Sequence, residues 1–195
     1  MSRSLPGLLR EVRACRLCEA HLPLGPRPVL QAGAGARILV VGQAPGARVH
    51  ASGVPWEDAS GDRLRAWMGI DKTVFHDPRQ IALIPMGLCY PGRGNGGDLP
   101  PRPECAPQWM GRLLAALPQV ELTLLIGLHA QRHLLGPRRQ RTLTETVRHW
   151  QDYAPAYFPL PHPSPRNTPW FQAHPWLDVE LLPALRERVH HLLQH

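Results

Sequence analysis

Residues 37–46 contain the feature that most constrains the fold, a run of branched apolar residues that stops abruptly at a glycine. Positions 38–41 carry four such side chains without a polar interruption, which is typical of a parallel strand buried on both faces. Gly42, Pro45 and Gly46 then force a tight, non-helical loop. Open α/β sheets usually place their sites at the carboxyl ends of strands, so this loop is a candidate site. An ordinary strand-to-loop turn is the alternative interpretation.

Strand-like and helix-like segments alternate along the rest of the chain. Strands are predicted at 37–41, 81–84, 122–127 and 157–160, and helices at 5–13, 63–68, 109–117, 129–135, 143–150 and 179–193. This alternation predicts a parallel sheet with helices on both faces. Residues 90–103 are rich in Gly and Pro and are predicted to form a long loop. We expect a single domain over 1–195, with a helix, a cysteine pair and a loop in 1–36 and the α/β core in 37–195.

The composition favours a protein that binds phosphate groups. The 195 residues suffice for one domain with a sizeable core. Lys and Arg number 22 against 15 Asp and Glu, a net charge of +7, and Lys72 is the only lysine. Arginine favours bidentate recognition of phosphate, although a GC-rich genome would produce the same bias.

The sequence shows no sign of a membrane or export signal. No apolar run approaches membrane-spanning length, and the N-terminus lacks the pattern of a signal peptide. We therefore expect a cytoplasmic protein without a membrane partner. We also expect it to act as a monomer.

The cysteines of the chain are Cys15, Cys18, Cys89 and Cys105. In a cytosolic protein, four cysteines that include a Cys-x-x-Cys pair indicate a metal or a cluster rather than disulfides. The second pair is too widely spaced for a simple zinc ribbon, whereas thiolates at wide spacing can hold an iron–sulfur cluster. The cluster is our prediction, with zinc as the competing metal and four buried thiols as the structural alternative.

Three segments together resemble the uracil-DNA glycosylase superfamily. Residues 42–46 (Gly-Gln-Ala-Pro-Gly) resemble its first motif, residues 162–165 (His-Pro-Ser-Pro) resemble its second, and the cysteine pattern resembles the iron–sulfur members of families 4 and 5. The similarity covers about residues 15–167. It implies an α/β single-domain three-layer sandwich, with a four-stranded parallel sheet flanked by helices. It also implies a 4Fe-4S cluster, and DNA containing uracil or a related deaminated base as the partner.

The resemblance further implies roles for individual residues. The first-motif loop would line the pocket for a base flipped out of DNA and orient water, and it comprises Gly42, Gln43, Ala44, Pro45 and Gly46. His162 would hydrogen-bond uracil O2 as negative charge develops on the leaving base, and Trp56 would stack on uracil. Ser164 and Arg166 follow in the segment that enters the minor groove, with Arg166 nearest the position that fills the gap.

Two departures from the pattern of the family matter, one in the first motif and one at residue 85. Family 4 carries Glu at the position of Gln43 and family 1 carries Asp at the position of Ala44, so neither residue here can be a carboxylate base. Residues 58–61 (Asp-Ala-Ser-Gly) resemble a family 5 segment with a catalytic aspartate, which makes Asp58 the expected replacement. Pro85 stands where relatives place an asparagine that reads uracil, so the preferred base is left open.

Each candidate also has a purely structural interpretation. Asp58, which we expect to be the only carboxylate brought close to a motif loop, could merely cap the following helix. His162 could be a polar loop residue, and Trp56 could belong to the core. The basic cluster of Arg138, Arg139 and Arg141 could be a solvated loop.

The expected activity is that of a monofunctional glycosylase that hydrolyses the N-glycosidic bond through an oxocarbenium-like sugar. Asp58 would stabilise that cation or orient the attacking water, and His162 would stabilise the departing base. No lysine is positioned for a Schiff base, so no lyase step is expected. The alternatives are a protein that captures damaged DNA bases without turnover, and a small-molecule hydrolase with a nucleobase pocket, which the net charge disfavours.

Overall fold

A computed structural model describes residues 4–194. Its strands are β1 (Ile38–Val41), β2 (Ile81–Leu83), β3 (Arg93–Gly94), β4 (Gly97–Asp98), β5 (Leu122–Ile126) and β6 (Tyr157–Leu160). Four of them form one parallel sheet in the order β2-β1-β5-β6, and β3 and β4 form a separate antiparallel hairpin. The expected α/β fold with a four-stranded parallel sheet is confirmed.

The sheet lies between two layers of helices. The helices are α1 (Leu5–Arg13), α2 (Ala47–Ser52), α3 (Ala59–Met68), α4 (Lys72–Phe75), α5 (Cys105–Ala115), α6 (Gly127–Leu135), α7 (Leu143–Arg148), α8 (Thr168–Ala173) and α9 (Leu182–Leu193). A π-helical turn, Leu177–Leu181, leads directly into α9. Within residues 4–194, no helix combines the length and the apolar character needed to span a bilayer.

The alternation of side chains along β1 explains why both layers are needed. Leu39 and Val41 face the cluster that contains α1 and α5, whereas Ile38 and Val40 face the cluster that contains α3 and α9. All four side chains are at most 1% exposed. Burying each one contributes about 1.5–3 kcal/mol, so β1 anchors both halves of the core.

The N-terminal segment belongs to the same core. Helix α1 has the predicted bounds, and its apolar stripe of Leu8, Leu9 and Val12 is buried in the cluster that also contains Trp109 and Met110 of α5. Arg112 of α5 also forms an ion pair with Glu11 of α1 at 2.6 Å. These contacts place the first cysteine pair, just after α1, beside α5.

The structure corrects several predicted boundaries. The helix expected at 63–68 begins at Ala59, the one expected at 109–117 spans Cys105–Ala115, and the tail helix spans Leu182–Leu193 after its π turn. The helices α2, α4 and α8 were not predicted, because four to six residues are too few to show a helical period. The long loop predicted at 90–103 contains the hairpin β3–β4.

Candidate active site

The carboxyl edge of the sheet opens into a cavity that most of the predicted site residues share. The loop after β1 contributes Gly42, Gln43, Ala44, Pro45 and Gly46, and further walls come from Trp56, Asp58, Pro85 and His162. Including its open mouth, this cavity holds about 430 Å³ of empty space. Ser164 and Arg166 do not line the cavity.

The loop after β1 is held by hydrogen bonds that extend the pairing of β1 and β2. Met86 N–H donates to the carbonyl of Gly42 at 2.9 Å, and Gly87 N–H donates to the carbonyl of Gln43 at 2.9 Å. The Gln43 side chain donates from Nε2 to the carbonyl of Leu99 at 3.2 Å. The backbone of this loop is therefore fixed from one side, and its Gln43 side chain is tied to the segment that follows the hairpin.

Trp56 is held in an unusual backbone conformation beside the cavity. Its φ is 59°, a left-handed value that bulky side chains rarely adopt. Its indole lies against Gly42, where an added Cβ would come within 2.7 Å of Cζ2. Its carbonyl accepts from Arg65 Nη1 at 3.3 Å, and a Cβ on Gly61 would lie only 1.8 Å from that oxygen. The glycines at both positions are therefore required for this placement of the ring.

Asp58 both caps a helix and lines the cavity, the two roles that the sequence left as alternatives. It is the N-cap of α3, where Oδ1 accepts the N–H of Gly61 at 2.8 Å. The same side chain lines the cavity together with Gln43 and His162. The capping interpretation is therefore correct, and it does not remove the carboxylate from the cavity.

His162 lies just beyond the carboxyl end of β6, and a backbone hydrogen bond fixes its tautomer. Ser164 N–H lies 3.2 Å from Nδ1. Because a backbone N–H can only donate, Nδ1 accepts, and the neutral ring carries its proton on Nε2. Burial lowers the pKa of His162, and the charges of Asp58 and Asp98 partly oppose this effect. The arrangement favours a neutral imidazole that donates from Nε2.

Other contacts immobilise the loop of His162. Asn167 Nδ2 donates to the carbonyl of His162 at 2.8 Å. The rings of His162 and Trp56 stack with centroids 5.8 Å apart and an angle of 28° between planes. His162 is thus braced on its backbone and on its ring.

Asp98 is a residue at the site that sequence reasoning missed. It lies at the end of β4, and its Oδ2 would be 3.3 Å from a Cβ added to Gly46. The expectation that Asp58 alone brings an acidic group to the motif loops is therefore wrong, since the hairpin folds back over the first loop. The Asn95-Gly96 dipeptide is a strong hairpin signal, and it could have predicted this turn.

The hairpin also reaches the second motif loop. Arg166 Nη1 donates to the carbonyl of Gly96 at 3.2 Å. Through Leu99, the same segment accepts from Gln43. The hairpin and its flank therefore connect the two motif loops.

Pro85 and Lys72 limit what the cavity can do. Pro85 lies in the cavity wall and offers no side-chain hydrogen bond there. Lys72 pairs with Glu57 at 2.7 Å and does not line the cavity. The wall thus lacks both an amide to read a base at position 85 and a lysine to form a Schiff base.

The four cysteines line a second cavity, between the segment after α1 and the start of α5. Trp109 Nε1 donates to Cys15 Sγ at 3.3 Å, and Leu88 N–H donates to Cys105 Sγ at 3.3 Å. Within residues 4–194, no group of three or more His, Cys, Asp or Glu side chains is arranged to coordinate a single metal ion. Four thiols that line one cavity are a suitable donor set for an iron–sulfur cluster, and also for a single zinc ion bound at about 2.3 Å.

Three of the four thiols are less acidic than an ordinary cysteine. Burial raises the pKa of Cys89 to about 11 and that of Cys105 to about 12, and it also raises the pKa of Cys18. These three thiols are therefore protonated at neutral pH unless a cation stabilises the thiolates. Binding of a metal or cluster at this position would release protons.

Most of the chain matches the model of a known protein family. The family model described as the uracil DNA glycosylase superfamily matches residues 31–186, which is more than half of the chain. The matched span contains every residue that lines the cavity of His162 except Val29. It begins after Cys15 and Cys18 and includes Cys89 and Cys105.

Proposed function

The chain belongs to the uracil-DNA glycosylase superfamily, and from that premise we propose that it hydrolyses the N-glycosidic bond of uracil, or of a related deaminated base, flipped out of DNA. The family assignment itself indicates a glycosylase that acts on damaged bases in DNA. The choice of uracil, the hydrolysis without a lyase step and the roles of individual residues are the proposal.

The cavity at the carboxyl edge of the sheet is the proposed base pocket. Flipping exposes the glycosidic bond and lets the walls of a pocket inspect the base. Trp56 supplies an aromatic face, and the first loop supplies backbone groups and the Gln43 side chain. Pro85 offers no hydrogen bond, so selectivity rests on shape, on the loop backbone and on His162.

The chemistry is a substitution by water at C1′ of the sugar. The C1′–N1 bond breaks, its electron pair leaves with the base, and the sugar passes through an oxocarbenium-like state. His162 donates from Nε2 to the base oxygen on which negative charge develops. The Asp58 carboxylate stabilises the positive sugar or orients the water, whose oxygen bonds to C1′ while its proton passes to Asp58 or to solvent.

One observation carries the proposal: a neutral imidazole with its proton on Nε2 and a carboxylate line the same cavity. The imidazole suits the anionic leaving base, and the carboxylate suits the cationic sugar. The decisive experiment uses double-stranded oligonucleotides that each carry one deaminated base, and follows base release in a single turnover. Release of uracil or of one related base supports the proposal, and intact glycosidic bonds across the panel refute it.

A protein that binds damaged bases without turnover is the second candidate. The observation that favours it is the absence of a carboxylate at Gln43 and Ala44, together with the engagement of one Asp58 oxygen in the cap. Tight binding to a uracil oligonucleotide without base release would select this function. Weak binding with little dependence on salt would instead favour a small-molecule substrate.

We also propose that Cys15, Cys18, Cys89 and Cys105 hold a 4Fe-4S cluster with a structural role. The support is the cavity that all four thiols line, and the two N–H···S contacts that orient Cys15 and Cys105. When bound, the cluster would link Cys15 and Cys18, in the segment after α1, to Cys89 and Cys105, which lie on either side of the hairpin β3–β4. Zinc is the competing metal.

The segment after His162 is the proposed contact with the DNA duplex. Ser164 and Arg166 lie there, Arg166 is exposed, and the net charge of +7 favours phosphate binding. We propose that Arg166 fills the gap left by the flipped base, and that the protein acts as a monomer. Size-exclusion chromatography with and without DNA tests the latter.

A further inference from the structure

Arg63 connects the helix of Asp58 to the loop of His162. It lies in the second turn of α3, the helix that Asp58 caps. Its Nη1 donates to the carbonyls of Pro163 and Ser164, at 3.4 and 3.3 Å. The guanidinium also stands over the ring of Phe171, with Cζ 4.8 Å from the ring centroid. One side chain therefore joins the helix that Asp58 caps to the loop that bears His162.

The carbonyl of Pro163 and the N–H of Ser164 belong to the same peptide unit. That unit is planar and rigid, so fixing its oxygen also fixes the direction of its N–H. The oxygen contacts Arg63, and the N–H donates to His162 Nδ1 at 3.2 Å. A cation on the oxygen also polarises the peptide and strengthens it as a donor.

We propose that Arg63 is a positioning residue that sets the tautomer of His162 through the peptide between Pro163 and Ser164. With Arg63 in place, the peptide N–H points at Nδ1, and the ring keeps its proton on Nε2, facing the leaving base. Without Arg63 the peptide can turn away, and the ring can move its proton to Nδ1. The catalytic importance of this relay rests on the proposed function, whereas the tautomer itself does not.

The test compares three variants by nitrogen NMR of ¹⁵N-labelled histidine, by single-turnover base release and by DNA affinity. Arg63→Met keeps an aliphatic side chain and removes the hydrogen-bond donors, and Arg63→Lys keeps the positive charge on a shorter side chain. Arg148→Met is the matched control, because Arg148 also stands over a ring, that of Trp176 at 4.9 Å, while its ion pair is with Glu180. The His162 signal is identified by its loss in His162→Ala.

Arg63→Met should shift the His162 nitrogen signals toward a mixture of tautomers and slow base release on the order of tenfold, the effect of losing one hydrogen bond to a charged group. Its DNA affinity should remain close to that of the parent. Arg63→Lys should recover part of both the signal and the rate. Arg148→Met should match the parent in all three measurements, even if it lowers the melting temperature.

A pure Nε2–H tautomer in Arg63→Met would overturn the proposal, whatever the rate. A change of tautomer in Arg148→Met equal to that in Arg63→Met would also overturn it, because loss of packing would then be the cause. If the parent protein releases no base, the proposed function fails, yet the NMR comparison still decides whether Arg63 controls the tautomer. The two failures are therefore distinguishable.

Discussion

The backbone N–H of Ser164 donates to Nδ1 of His162 at 3.2 Å, so the neutral imidazole carries its only proton on Nε2. A residue two positions along the chain thus decides which ring nitrogen of His162 can donate to a ligand. Protonation would give a charged ring that could no longer accept from Ser164, and it would break this contact.

The pH dependence of base release should reflect His162, which is partly buried. Burial holds the pKa of His162 below its ordinary value, so the neutral form persists as the pH falls through about 6.5. Activity should therefore decline only at lower pH, where the ring becomes protonated. Asp98 raises this pKa, so Asp98→Asn should move the acidic limb of the single-turnover profile further down. An acidic limb at the ordinary histidine pKa of about 6.5, and at the same pH in Asp98→Asn, would contradict this assignment.

Substitutions of Asp58 should separate its capping from its charge. Asn caps helices about as well as Asp, so Asp58→Asn should change the free energy of unfolding little while slowing base release about a hundredfold, or about 3 kcal/mol. Asp58→Ala should also lose about 1 kcal/mol of stability. Asp71→Asn is the control, because Asp71 caps α4 with the same 2.8 Å contact, to Val74 N–H. Release by Asp58→Asn at the parental rate would reduce Asp58 to a cap.

The cysteine cavity should contain iron. Protein purified without air is expected to be brown and to contain iron and inorganic sulfide in equal amounts. Cys89→Ser should lose the iron, whereas Trp109→Phe should retain it, because that change removes only the hydrogen bond to Cys15 Sγ. Metal analysis and visible absorption decide the matter, and a colourless protein with stoichiometric zinc would contradict the cluster.

Arg166 should contribute most where a flipped base leaves a gap. Arg166→Ala is expected to weaken binding to damaged duplex more than to undamaged single strand, because only the duplex has a gap to fill. Arg141→Ala, in the basic cluster before α7, should affect both DNAs equally. Affinities measured over a range of salt concentrations test this. Equal losses in Arg166→Ala would make Arg166 a simple phosphate contact.

Two glycines in helices should respond oppositely to alanine. A Cβ at Gly61 would overlap the carbonyl of Trp56, so Gly61→Ala should cost about 1–3 kcal/mol of stability and displace the ring beside the cavity. Gly111 of α5 has no atom within 4 Å of its would-be Cβ, so Gly111→Ala should add about 0.5–1 kcal/mol. Chemical denaturation measures both, and similar effects would contradict the packing argument.

The sheet could be predicted from the sequence, whereas the packing of the hairpin against the two motif loops could not. Strand β6 has the predicted bounds, and β1 differs by one residue, because uninterrupted apolar runs ending at Gly or Pro are strong local signals. The Asn95-Gly96 pair predicts a turn, but it does not predict that the hairpin folds over the first loop and brings Asp98 to Gly46, because a Gly/Pro-rich stretch has no side-chain periodicity that would place it. The peptide relay from Arg63 to His162 joins residues about a hundred positions apart, and only the tertiary fold brings them together.

The left-handed backbone of Trp56 carries a cost in stability that the packing of its side chain offsets. A bulky residue in this conformation costs roughly 1–2 kcal/mol, and glycine would remove that cost. Glycine would also remove the indole that packs on Gly42 and stacks with His162. Trp56 also packs against the core cluster that contains α3 and α9, and this burial outweighs the strain of its backbone. A laboratory selection for heat resistance alone would therefore retain the tryptophan, as would one that scores ligand recognition, and both would find their stabilising changes elsewhere.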